Sequence, residues 1–349
     1  MNTKLKIKAA VLEKNFQPLK IKNIFLKDEL KKNQILVQIY YSGICGSQIG
    51  EINKVKGKDN YLPHLLGHEG TGKIININKK FKSQFKIGEE VILHWQKSNG
   101  KNCENPIYYD SYNKKVNAGW VTTFNNFAIV SENRLTKLPK DISKKEGVLF
   151  GCGLTTAYGA LFNNININKI KKEKILLTGF GMIGQIMLKF ISVLGVSDIT
   201  VVENNYNKIL LLKKNYKNVK IFTNTKFIKK EVFDIAFETT GLNKLIEYSY
   251  NNIINKGKLI LIGVPSYDQK IRINTLGINY GKKIIGSYGG NINPKKDIPK
   301  IFKFVKKNKI KLKDFFSGPY KFEKINDILK KIQSGVIIKK PLIKFNIKN

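Results

Sequence analysis

Arginine is almost absent from this chain, with only Arg134 and Arg272 among 349 residues, although the formal net charge is +38. Lysine supplies that charge and is spread along the chain, whereas base edges and phosphates are gripped best by the bidentate guanidinium fork. No nucleic-acid partner is expected, and drift of an AT-rich coding sequence toward Lys, Asn and Ile accounts for the excess. Cysteine is scarce too: Cys45, Cys103 and Cys152 are too few and too far apart for a disulfide framework, so the thiols read as ligands rather than bridges. No apolar run reaches the roughly 18 residues of a membrane span. The opening MNTKLKIKAAVLEKN carries charges where a signal peptide needs its apolar core, so a soluble, cytoplasmic protein without a membrane partner is expected. What remains is a 42% hydrophobic chain, long enough for two domains with real cores.

The most informative stretch is Ile175 to Gly184, ILLTGFGMIG. Its apolar run suits a strand buried on both faces, and Ile183 to Leu194 continues at helical spacing. Between them Gly179, Gly181 and Gly184 spell G-x-G-x-x-G: a tight turn, a close approach for a pyrophosphate, and close packing of helix on strand. The helix N-terminus offers free N–H groups to the phosphates. A second strand, Ile199 to Val202, ends at Glu203, placed to accept from the adenosine ribose hydroxyls and to repel a 2′-phosphate. The expected cofactor is therefore NAD.

Alternation over Lys8 to Leu12 and Leu19 to Ile24 predicts short antiparallel strands, and Ile35 to Tyr41 predicts another. That strand runs into the glycine-flanked turn Ser42 to Ser47, which exposes Cys45, either a small buried hydrophobe or a ligand. Leu65 to Gly72 sets His68 and Glu69 among glycines that a plain core does not require. Residues 94 to 120 read as an irregular polar lobe on a small antiparallel barrel, and Val121 to Val130 as renewed strand. Phe150 to Tyr158 opens a helix. Strands at Phe233 to Glu238 and Lys258 to Gly263 extend a doubly wound parallel sheet from about 154 to 287. Helices near Ile298 to Lys307 and Ile325 to Ser334, then a strand from Pro341 to Phe345, close the chain.

Together these pieces resemble the zinc-dependent medium-chain dehydrogenase/reductase family of alcohol and polyol dehydrogenases, over essentially the whole chain. Its G-I-C turn is similar to Gly43-Ile44-Cys45, its G-H-E to Gly67-His68-Glu69 and its G-C-G to Gly151-Cys152-Gly153. The resemblance implies an α/β chain: a GroES-like antiparallel β-barrel catalytic domain at 1–153, a Rossmann NAD-binding domain at 154–287, and a segment at 288–349 returning to the catalytic domain. It implies Cys45, His68 and Cys152 as ligands of one catalytic zinc. Two thiolates and an imidazole are a soft set that suits Zn²⁺ and leaves a fourth position open. Glu69 is implied as a carboxylate entering or tuning the metal sphere, with a plain hydrogen-bonding role as its alternative. Ser47 is implied as the hydroxyl that carries the proton out, Thr156 as packing on the nicotinamide, and Lys339 as reaching the pyrophosphate.

Departures from the family are equally definite. The lobe holds only Cys103 where a structural zinc needs four cysteines, so no second zinc is expected. Gln48 replaces an aspartate that orients the histidine ligand, so support for His68 is expected from elsewhere. Gly50 replaces a relay histidine. Trp95 falls at an aromatic wall of the substrate pocket, with His94 beside it as core or as a substrate contact. The activity implied is hydride transfer between an alcohol, or an aldehyde or ketone in reverse, and NAD(H), in a homodimer or homotetramer. A zinc-free reductase of the superfamily and a basic binding protein are the alternatives.

Overall fold

The computed structural model describes residues 5–26, 29–225 and 232–346, so the first four residues of the opening segment lie outside it. Two compact units emerge: residues 1–152 with 293–349, and residues 153–292.

The first unit is built on the strand Gln34–Gly43, QILVQIYYSG, whose side chains are buried almost throughout. Its β-branched and aromatic residues suit a central strand. It pairs antiparallel with Glu69–Ile77 and Phe127–Ser131, and near its end with Lys340–Lys344, through Leu342↔Gly43 and Ile343↔Ser42. The last strand of the chain thus returns to the place where Cys45 follows. A five-stranded closed barrel joins Lys6–Leu12, Lys20–Phe25, Ile107–Asp110, Lys115–Asn117 and His64–Leu65. Two of these strands lie inside the stretch expected to be an irregular lobe. The turn between them allows this, because Asp110 Oδ1 accepts from Tyr112 N at 3.0 Å and Lys114 N at 2.9 Å. Conversely, only Phe127–Ser131 of the expected strand 121–130 is a strand. Residues 121–126 spend their backbone groups elsewhere, with Thr123 N and Phe124 N donating to Leu66 O and Phe124 O accepting from Ala10 N.

The second unit carries a six-stranded parallel sheet in the order Lys220–Phe222, Ile199–Val202, Ile175–Thr178, Phe233–Glu238, Ile253–Leu261, Lys283–Gly286. This is the doubly wound order that starts in the middle and reverses direction. Leu176 and Leu177 are fully buried, each worth about 1.5–3 kcal/mol of apolar burial. The unit ends at Ile292 rather than near 287 because Gly290 lies against the helix Gly153–Phe162. A Cβ on Gly159 would stand 2.1 Å from Gly290 O, so that helix and the 289–291 turn pack backbone on backbone.

Candidate functional site

Three local structures bring the ligand candidates together in the first unit. Cys45 precedes the short helix Gly46–Ile52, and its N–H donates to Gln48 Oε1 at 2.8 Å. His68 and Glu69 enter the strand Glu69–Ile77, where Ser42 Oγ and Thr123 Oγ1 donate to Glu69 O at 3.3 and 3.1 Å. Cys152 follows a turn started by a capping box, in which Ser143 Oγ accepts from Glu146 N and Glu146 Oε2 accepts from Ser143 N. The flanking glycines make room, since a Cβ on Gly151 would stand 2.7 Å from Glu69 Cβ and one on Gly43 2.9 Å from Glu69 Cδ.

One ligand atom each from Cys45, His68, Glu69 and Cys152 lies within 4.8 Å of the others, the one such group of His, Cys, Asp and Glu among the described residues. His68 Nε2 and Glu69 Oε2 are buried without a hydrogen-bond partner among those residues. Leaving such groups unpaired is costly, and a cation at the centre of the cluster would satisfy both. The donor set fits zinc. The thiol pair behaves as one unit: a hydrogen bond between the sulfurs, with the Lys340 charge assisting, holds Cys45 well below the usual thiol range, while the same bond and burial hold Cys152 well above it against the Lys340 charge. Burial alone would lower His68, but the Cys45 sulfur and the Glu69 charge outweigh it and raise it.

Lys340 was not singled out by the sequence. Its ammonium is 2% exposed and pairs with Glu69 Oε1, which is fully buried. Burial works against the charge, yet the negative charges of Cys45, Glu69 and Cys152 keep Lys340 protonated above the usual lysine range. Burial is also the largest effect on Glu69 and leaves its carboxyl raised despite the ammonium beside it. Lys339, expected at the pyrophosphate, is half-buried just before this strand.

Gln48 corrects an expectation. His68 is supported by Gln48 itself, whose Nε2 lies 2.5 Å from His68 Nδ1 while its oxygen holds Cys45 N. An amide nitrogen only donates, whereas an aspartate would accept the ring N–H, so Gln48 holds the imidazole in place without adding electron density to it. Ser47 Oγ lies 3.5 Å from the same nitrogen. Trp95 stands edge-on to His68 at a centroid distance of 6.4 Å. His94 is core: its ring nitrogens meet Gln96 O at 2.7 Å and Thr136 Oγ1 at 3.1 Å, and burial pushes it down to about 4. Cys103 lies outside the cluster, with burial pushing its thiol up to about 11.

The glycine turn occupies the second unit. Gly179 has φ +87°, and a Cβ there would stand 2.6 Å from Thr240 Cγ2; one on Gly184 would meet Gly179 O at 2.3 Å. A Cβ on Gly181 would meet nothing within 4 Å, so the turn leaves open space where a phosphate would approach. Glu203 is 6% exposed. Its oxygens accept from Phe180 N at 2.8 Å, Asn204 N and Asn205 N at 2.9 Å, and Lys208 Nζ at 3.1 Å. A ribose hydroxyl would share an oxygen already in use, because a carboxylate offers about four lone-pair sites. Thr156 is buried on the helix Gly153–Phe162, which packs on the helix that follows the glycines: a Cβ on Gly153 would stand 3.2 Å from Ile186 Cδ1. No helix among the described residues is long and apolar enough to cross a membrane.

Residues 31–140 match the alcohol dehydrogenase GroES-like domain. The chain is 25% identical to Alcohol dehydrogenase-like 3 of Arabidopsis thaliana, over 94% of this chain and 93% of that protein. It is 26% identical to the alcohol dehydrogenase of Geobacillus stearothermophilus, over 95% and 97% of the two chains. Among solved structures, benzyl alcohol dehydrogenase from Acinetobacter calcoaceticus superposes with a TM-score of 0.83 at 23% identity, covering 98% of this chain and all of that one.

Proposed function

From its membership of the medium-chain, alcohol dehydrogenase-like family, we propose that this oxidoreductase uses one zinc ion and NAD to interconvert an alcohol with its aldehyde or ketone. The cluster of Cys45, His68, Glu69 and Cys152, all within 4.8 Å, is the observation that carries this reading. Cys45, His68 and Cys152 would hold the metal, and Gln48 keeps the imidazole turned toward it. Bound there, zinc supplies a Lewis acid that makes an alcohol hydroxyl more acidic and polarises a carbonyl. Glu69, anchored by Lys340, keeps a carboxylate at the edge of the sphere. Ser47 takes the hydroxyl proton. The alcohol is a polar or sugar-like one, in keeping with the lysine-rich surface, and the enzyme acts in the cytoplasm as a homo-oligomer. A panel of alcohols mixed with NAD⁺, followed by NADH absorbance, tests the proposal. Turnover of at least one alcohol that stops on chelation is expected, and an enzyme fully active without metal would refute it.

The second unit sets the cofactor preference. Glu203 braces the glycine turn through Phe180 N, and its charge opposes a 2′-phosphate, while Lys208 moderates that repulsion. NADH is expected to bind about tenfold or more tightly than NADPH, a difference of about 1.4 kcal/mol. Fluorescence titration of both cofactors measures it, and equal dissociation constants would remove Glu203 as the discriminating group.

A further inference from the structure

The helix Gly46–Ile52 carries an acidic side chain for which the fold has no use. Ile49 and Ile52 pack against the core of the unit, and Gln48 turns in to hold Cys45 and His68. Glu51 is half-buried, yet its carboxylate makes no hydrogen bond or ion pair with any described residue, whereas its backbone carbonyl accepts from Asn15 Nδ2 and Lys54 N, both at 3.2 Å. The other acidic groups nearby are spoken for: Asp59 Oδ2 meets His64 Nε2 at 2.9 Å, and Glu69 pairs with Lys340. A carboxylate drawn partly out of water with no partner costs stability, so its place on this helix calls for another explanation.

Its position supplies one. Ser47 and Glu51 are four residues apart on the same helix, one above the other on one face, with Cβ atoms about 5–6 Å apart. A glutamate side chain is long enough to reach across that interval by a change of rotamer, and Ser47 Oγ lies beside the His68 ring at 3.5 Å. We propose that Glu51 is the terminal proton acceptor of alcohol oxidation in this chain, receiving through Ser47 the proton that the substrate hydroxyl releases.

The inference rests on the dehydrogenase reading and fills the gap left by Gly50. The substrate C–H hydrogen leaves with its electron pair to oxidised nicotinamide as the C=O bond forms. The hydroxyl proton passes to Ser47 Oγ while the proton of Ser47 passes to a Glu51 oxygen, and Glu51 later releases it to water. Burial raises the Glu51 carboxyl above the usual range; His68, Lys56 and His64 oppose that rise and Cys45 adds to it. An acceptor whose affinity for the proton is moved toward the working pH is more effective than one with an ordinary carboxyl.

Glu51→Gln keeps the size of the side chain and removes the acceptor. Zinc content should match the parent and the thermal midpoint should be no lower, while alcohol oxidation near neutral pH falls by about 10²-fold or more, the scale of a lost positioned proton-transfer group. The pH–rate profile should lose its carboxyl-controlled limb. Adding Gly50→His to Glu51→Gln should restore much of the rate, since a Cβ at position 50 meets only Val55 at 3.7 Å and an imidazole titrates near about 6.5. A readout independent of turnover follows Glu51 itself by ¹³C NMR of labelled glutamate in the intact chain. One carboxyl should titrate above the ordinary range, vanish in Glu51→Gln and shift in Ser47→Ala. A Glu51→Gln enzyme with its full rate and an unchanged profile overturns the proposal, as does a Glu51 resonance that Ser47→Ala leaves in place. If no alcohol is turned over by the parent chain, the dehydrogenase reading fails separately, and the resonance still decides whether Ser47 and Glu51 are coupled.

Discussion

Cys45→Ala or Cys152→Ala should lose zinc and turnover together. Even partners that only orient a ligand cost 10–100-fold in metal affinity when removed, so deleting a ligand should weaken binding by more than about 10²-fold. The three-ligand set becomes two, and the sulfur that remains loses the hydrogen bond that sets its proton affinity. Truncating a thiol to a methyl removes little packing volume, so the chain should still fold. Elemental analysis after dialysis against a chelator, with turnover measured on the same samples, checks this. Either variant retaining zinc and full activity would mean that the ligands are misassigned.

Lys340→Met should destabilise the metal-free chain, by less than about 3.7 kcal/mol. Removing one partner of a buried ion pair typically costs about 3–5 kcal/mol, because the other charge is left unpaired. Here the Glu69 carboxylate would be stranded with Oε1 deserted and Oε2 already without a partner among the described residues. The loss has a ceiling, since Glu69 can take up a proton. For a carboxyl with an ordinary pKa near 4.3, protonation at pH 7 costs about 3.7 kcal/mol, at 1.36 kcal/mol per pH unit, and it costs less for Glu69, whose carboxyl burial already raises. Adding Glu69→Gln removes the stranded charge, so the double variant should be more stable than Lys340→Met alone. Urea unfolding of the three chains measures both differences. A Lys340→Met chain as stable as its parent would show that the pair contributes nothing to the fold.

The contrast between Lys339 and Lys340 marks where the sequence stops being legible. Cys45, His68, Cys152 and the glycines can be picked out because each sits in a local pattern whose residue types state their own chemistry. Which of two adjacent lysines enters the site depends on the register of Lys340–Lys344 against Gln34–Gly43, a pairing across some 300 residues that a one-residue slip would reverse. Gln48 was passed over for a different reason. A neutral amide reads as the absence of a carboxylate until its two ends are seen to hold Cys45 N and His68 Nδ1. The strands Ile107–Asp110 and Lys115–Asn117 hid in a polar stretch because they are short and take their burial chiefly through Tyr108, Asp110 and Val116. Glu51 sits in no local sequence pattern that states its chemistry, and only its burial and its unpaired carboxylate set it apart.

Zinc titrated back into chelated protein, with alcohol-dependent NADH formation read at each addition, tests the central claim most directly. The rate should start near zero, rise in proportion to the metal added and break at one zinc per chain. A zinc-free chain already at full rate, or a rate still climbing to a second equivalent, would contradict the three-ligand site built from Cys45, His68 and Cys152.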